Sequence, residues 1–367
     1  MWGVALLVAA VVAPVAGLER VSMASFGLAL RHPVRHAHGW HGRHGAYGWR
    51  AGRNRGPTAP HGSHAHGPHL TRRLIYTPPA PEATWSRYMS TVSPGRLRRL
   101  GCGLGAAVGR GHERPDALVV LAFGMPQHHR SRFGASLFDG RFSNSKKIGR
   151  ATVAYAAGFA RCLGGRPGHL TLAAGTSNYG GDVTFRHGQA WGSMVNRSNG
   201  GLRRLGIHRA VQITGANDIE PGWRGPVATR SWIRGYDSVT DTPYFDFGGA
   251  AGCPPIGRCE GGWSLEDVWY AAWGSGVAVP LPEIYANTGA NAEQWYHVAL
   301  YSVLAHRRRM EIGGVMSQLQ SCWDHHDPCR GISDTPRNSW GQLWRALNSD
   351  PRTAQPLRFS TNISWRN

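Results

Sequence analysis

A (β/α)8 barrel is the fold class this sequence predicts, and three observations carry it. Eight short apolar runs recur between residues 118 and 365. Most are nearly continuous rather than alternating, as parallel strands covered on both faces are. Helical spacing fills most of the intervals, over a span of about 250 residues, the usual size of such a barrel. A doubly wound open sheet is the alternative. The count of eight and the lack of a nucleotide-binding loop favour the barrel.

In order, the runs are LVVLAFG (118–124), LTLAAGTS (170–177), AVQITGA (210–216), YFDFGG (244–249), VWYAAWG (268–274), PEIYA (282–286), GGVMSQL (313–319) and FSTNISW (359–365). The last alternates, with Phe359, Thr361, Ile363 and Trp365 on one face. A first helix places Ile148, Thr152, Tyr155, Phe159 and Leu163 on one side. HGQAW (187–191) reads as the start of a second. A helix follows Asn291, whose side chain is expected to cap it, with Gln294 completing a capping box. Another begins at Thr335, with Pro336 in its first position. GCGLGA (101–106) matches a dinucleotide fingerprint by letters, but no strand precedes it, so the match carries no chemistry.

Ahead of the barrel the composition shifts. Residues 1–17 open with an apolar stretch too short to span a bilayer and read as an export signal. Residues 18–84 read as a disordered linker, because the tract 31–73 is rich in His, Arg and Gly and has no apolar periodicity. Residues 85–114 are expected to lead into a barrel domain spanning 115–367. The net charge is +20. Residues 1–114 hold 15 Arg against three Glu, and the rest of the chain is basic too. Such a balance favours an anionic partner, here an acidic cell-wall polymer or glycan rather than nucleic acid. No stable membrane span and no self-association are expected.

Six cysteines suit an oxidising, extracellular compartment. Cys253 with Cys259 and Cys322 with Cys329 close short loops, leaving Cys102 and Cys162 as a long-range pair. Zinc held by Cys322, His325, His326 and Cys329 is the alternative; its spacing is not that of a standard finger, and disulfides are preferred.

Function in a barrel sits at the C-terminal ends of the strands. Those ends offer Asn178 and Tyr179, Asp218 and Glu220, Asp246, Trp273, Glu283 and Tyr285, and Gln318. Acids, amides and aromatics together suit a carbohydrate cleft. Asp218 and Glu220, in ANDIEPGW, lie two residues apart, so both side chains point to one side of a strand. Paired carboxyls drive their pKa values apart, which glycoside hydrolysis uses. Glu220 is the expected acid and Asp218 its charged partner. The other seven residues are expected to bind substrate, with no metal or cofactor. In the competing reading Asp218 caps a turn, Glu220 meets an Arg, and the protein binds glycan without cutting it.

The stretches AAGTSNYG (173–180), HGQAW, TGANDIEPGW (214–223), PLPEIYANTGANAEQW (280–295) and FSTNISW resemble a group of exported actinobacterial proteins with no assigned activity. That resemblance implies a secreted, disulfide-bearing domain from about residue 86 onward. The D-I-E of residues 218–220 is also similar to the D-x-E of family 25 lysozyme-type glycoside hydrolases. Those enzymes carry further acids on the first and last strands, where this chain has Ala122 and Asn362.

Overall fold

The structure, a computed structural model, describes residues 77–111, 115–325, 329, 331–332 and 334–366. The export signal (1–17) and the His-rich tract (31–73) lie outside the described residues.

The chain runs β1 (Thr84–Tyr88), α1 (Pro94–Gly109), β2 (Asp116–Ala122), then a small antiparallel sheet of β3 (Met125–His129), β4 (Arg132–Ser136) and β5 (Phe142–Asn144). It continues with α2 (Ser145–Leu163), β6 (His169–Ser177), α3 (Phe185–Arg204), β7 (Val211–Asp218), α4 (Pro226–Asp237) and β8 (Tyr244–Asp246). The last part is α5 (Leu265–Trp269), β9 (Ala278–Pro280), α6 (Ala290–His306), β10 (Gly314–Ser317), α7 (Leu319–Asp324), α8 (Pro336–Asn348) and β11 (Phe359–Ser364). Eight strands, all paired in parallel, form one sheet in the order β10-β11-β1-β2-β6-β7-β8-β9. The ring closes after β9. There Gly313 N donates to Pro280 O (2.9 Å), Met316 N to Pro282 O (2.9 Å) and Ile284 N to Met316 O (2.9 Å). This is a (β/α)8 barrel.

The continuous apolar runs have the two-faced burial expected of them. On β2, Leu118, Val120 and Ala122 join an inner cluster with Tyr88, Ala173, Ala216, Phe245, Leu281, Met316 and Ile363. Val119, Leu121 and Phe123 alternate with them and pack against the helices. In the barrel interior Ser86 and Thr361 share a hydrogen bond of 2.7 Å, and Val120 N donates to Ser86 Oγ.

Two of the eight strands differ from those expected. VWYAAWG is helical, comprising the end of α5 and a π-type turn through Gly274. Ser264 and Asp267 form a capping box that starts the helix, and Trp269 packs on α6, donating Nε1–H to Ser302 Oγ at 2.9 Å. An aromatic-rich run thus follows its cap rather than strand propensity. The missing strand is β1, TWSRY, which pairs with β11 and β2. Residues 85–114 therefore do not lead into the barrel; they hold most of β1 and all of α1, the first barrel unit. The expected strand 282–286 is reduced to two isolated bridges, Glu283 to Met316 and Ala286 to Ile332, past the shorter β9.

Local signals fared unevenly. Thr335 caps α8 with Pro336 in its first turn. Asn291 does not cap α6, which starts at Ala290 behind Gly289 (φ 85°); its Oδ1 accepts from Ala286 N instead. The glycines of GCGLGA pack α1 against α2. A Cβ at Gly101 would lie 2.0 Å from Tyr155 O, and one at Gly105 2.2 Å from Phe159 O. A disulfide between Cys102 and Cys162 joins the same helices. Cys253–Cys259 and Cys322–Cys329 are also bonded, so the latter pair has no thiolate for zinc.

Candidate functional site

The end of β7 fixes the two acids of ANDIEPGW. Asp218 is its last residue and shares strand parity with the inner-face Ala216. Beyond it, Asn178 holds the departing chain. Asn178 Oδ1 accepts from Glu220 N (2.9 Å), and its Nδ2 donates to Glu220 O (3.1 Å). Asn178 is fully buried, and its amide is committed to the backbone; it positions Glu220 rather than facing a ligand. Pro221 and Gly222 then turn the chain, and Trp223 N donates back to Glu220 O.

The Glu220 carboxyl lies against the chain that leaves β8. A Cβ at Gly249 would sit 2.9 and 3.0 Å from its two oxygens, so only glycine leaves room for it there. Gly249 also donates its backbone N–H to that carboxyl. Two strands along the sheet from β7, Glu283 follows β9 with the same parity as the inner-face Leu281. Asp218, Glu220 and Glu283 each place a carboxylate oxygen within 4.8 Å of the other two. Asp246 is buried beside them, with Oδ1 accepting from Gly248 N.

No Lys, Arg or His forms an ion pair with these four acids among the described residues. The expected alternative, Glu220 meeting an Arg, is therefore not the arrangement found. Asp218 Oδ1 is buried without a hydrogen-bond partner, and Gln318 stands beside the buried Glu283 carboxyl, opposing part of its rise. Burial and mutual repulsion must raise all four pKa values. Burial raises Glu220 to about 7, offset by the Gly249 N–H and augmented by Glu260. Asp218 is pushed well above the carboxylate range by burial, then by Glu283, Glu220 and Asp246. Glu283 rises through burial and Glu220, and Asp246 through burial despite its Gly248 bond. The cluster therefore holds protons at neutral pH. Three oxygens so close also have the donor chemistry that hard cations take.

Around the acids stand phenols and an amide. Burial and the neighbouring carboxyls raise both Tyr88 and Tyr285. Gln318 Nε2 donates to Tyr88 Oη at 3.5 Å. On one lip Tyr179, 47 % exposed, meets Trp223 edge-on with ring centroids 5.6 Å apart. On another side Trp365 packs on Tyr88 (4.4 Å) and Phe138 (5.0 Å).

Of the expected substrate residues, Asp246, Glu283, Tyr285 and Gln318 thus gather around Asp218 and Glu220, and Tyr179 stands on the lip. Trp273 does not join them. It precedes β9, and its ring lies under the Arg308 guanidinium (4.7 Å) beyond the end of α6. That is the end of the barrel where strands begin, opposite the acids. Tyr88 and Gly249 were missed. Tyr88 sits on the unrecognised β1, whose only signal was the alternation of Thr84, Ser86 and Tyr88. Gly249 carried no sequence signal beyond a Gly-Gly pair.

No family model and no curated protein matches the sequence. Among solved structures, the chain is similar to the homocysteine methyltransferase MmuM from Escherichia coli at 11% identity and a TM-score of 0.39, covering 73% of this chain and 96% of that one. It is also similar to an endo-1,4-beta-mannanase from Rhizomucor miehei (10%, TM-score 0.36, 80% and 87%) and to the chitinase ICChI from ipomoea carnea (11%, TM-score 0.30, 64% and 93%). Nothing about the reaction follows from likenesses this distant, and the barrel itself stands on strand order and hydrogen bonding.

Proposed function

We propose that the protein is an exported glycoside hydrolase acting on a glycan, with cell-wall peptidoglycan the fitting substrate. The observation that carries the reading is the convergence of Asp218, Glu220 and Glu283 within 4.8 Å at the mouth of the barrel, none of them in an ion pair among the described residues. Glu220 is the acid. A group that exchanges its proton near pH 7 is matched to general acid–base work. It protonates the glycosidic oxygen as the bond to C1 breaks. Positive charge then develops on the sugar ring beside Asp218, and a cation nearby lowers a carboxyl's pKa. Asp218 passes its proton to the Glu283 carboxylate, within 4.8 Å, as that charge appears, and as a carboxylate it attacks or stabilises C1. The close spacing leaves no place for the attacking water that inverting pairs hold across roughly 6.5–9.5 Å, so retention of configuration is the expected outcome. Tyr285, Gln318 and Asp246 support the pocket, and Tyr179 with Trp223 stacks sugar on the lip. Three disulfides support an oxidising compartment, and among the described residues no helix is long and apolar enough to cross a membrane.

A non-catalytic glycan binder is the second reading. Asn362 on the last strand, where the resembling hydrolases carry an acid, favours it, and the first strand β1 ends in Tyr88 rather than an acid. Glu220→Gln separates the two. As an enzyme, the variant loses turnover of peptidoglycan at least roughly a hundredfold while binding persists, since Gln keeps the shape but has no proton to give. If the wild type releases no reducing ends from any wall glycan, the binding reading replaces this one.

A further inference from the structure

The insertion after β2 builds a surface that the acid cluster does not use. Strands β3 and β4 meet in a tight turn at Arg130 and Ser131, so His128, His129, Arg130 and Arg132 all stand exposed. The sheet packs beside the first turns of α2 and α3. Arg132, Phe133, Asn144, Lys146 and Ala190 line one open concavity of about 460 Å³. Lys147 and Arg150 continue the α2 side, and Arg186 lies one turn before Ala190 on α3. Lys146 and Lys147 are the only lysines in the chain.

Two further facts give this patch meaning. Its six cations, Arg130, Arg132, Lys146, Lys147, Arg150 and Arg186, are exposed and make no ion pair among the described residues. Asp182 on the same face accepts from His128 N, tying the sheet to the β6–α3 loop. That loop begins with Tyr179 on the lip. In a β/α barrel the helix N-termini lie at the same end as the strand C-termini, so the patch and the acids share one face.

We infer that this basic shelf binds anionic groups of the glycan whose rings enter the barrel mouth, so the substrate is an acidic polysaccharide bearing carboxylate or phosphodiester groups. The inference rests on the glycan reading above. Helix N-termini and unpaired cations together attract anions, and clustered cations speed their capture. A nucleic acid fits less well. Its charge repeats at every phosphate, and those over the mouth would meet acids that form no ion pair with a cation among the described residues. A glycan can lay neutral rings over the mouth and its anionic groups on the shelf.

The test is binding by the full-length protein, without turnover, so it is independent of whether Glu220 catalyses. Probes are polygalacturonate, a phosphodiester-bearing glycan, neutral dextran and a single-stranded oligonucleotide at low salt. Arg132→Glu with Lys146→Glu is compared with Arg203→Glu and Arg204→Glu, exposed positions at the far end of α3. Both doubles change the net charge equally and keep the Arg-rich residues before 77, so general attraction cancels. Equal melting temperatures establish that both fold. The shelf double should weaken one or both anionic glycans about tenfold or more and the control less than about twofold; which glycan responds identifies the anionic group. Equal losses in both doubles, no loss in the shelf double, or oligonucleotide bound more tightly than either glycan overturns the inference.

Discussion

Glu220→Gln tests the buried cluster by stability as well as by activity. In the unfolded chain Glu220 titrates near 4.5, and in the folded protein burial raises it to about 7. Below pH 4.5 it is protonated in both states. Between 4.5 and 7 the unfolded chain releases a proton that the folded one keeps, so folding weakens as pH rises. Each pH unit costs about 1.4 kcal/mol, giving roughly 3 kcal/mol by pH 7 and no further change above it. Gln at this position does not titrate, and its amide oxygen still accepts from Gly249. Removing the Glu220 charge also relieves Asp218 and Glu283, which adds in the same direction. Wild type alone is a poor readout, because His187 opposes the trend. Its ring is buried, accepts Trp232 Nε1–H and contacts Gly134 O, and burial lowers it to about 4. Neutral His187 stabilises the fold above about 6.5, and that contribution is lost as pH falls toward 4. Both proteins contain His187, so the difference between them removes it. Urea unfolding from pH 4 to 8.5 should show the variant gaining on wild type by roughly 3 kcal/mol across 4.5–7, then levelling. A difference that is flat across that window, or that falls with pH, would refute the buried-acid account.

Two further outcomes follow from the packing. Replacing Cys102 and Cys162 with Ser opens a loop with a sequence separation of 60 and should cost about 4 kcal/mol, read as a lower urea midpoint than oxidised wild type under non-reducing conditions. Gly249→Ala should cut turnover roughly tenfold to a hundredfold with little loss of stability, because the new methyl displaces the Glu220 carboxyl; unchanged kcat would remove Gly249 from the site.

The sequence was legible where burial is two-faced and local. The apolar runs of β2, β6, β7 and β10 are strands because both faces meet apolar neighbours, and that demand shows in composition alone. Short Cys spacings and the Thr335–Pro336 start of α8 are likewise local. The pairing of Asp218 with Glu220 followed from strand parity. The sequence could not show β1, whose Ser86 is acceptable inside the barrel only because Thr361 and Val120 N arrive from neighbouring strands. It could not place Trp273, because helix or strand in VWYAAWG depends on the Ser264 cap and on the α6 surface that receives Trp269. Nor could it bring Glu283 to Asp218 and Glu220. By itself the sequence determined which segments must be covered and which acids face inward. The strand order decided which acids meet, because residues more than sixty positions apart become neighbours only when β7, β8 and β9 lie side by side and their ends converge on one mouth.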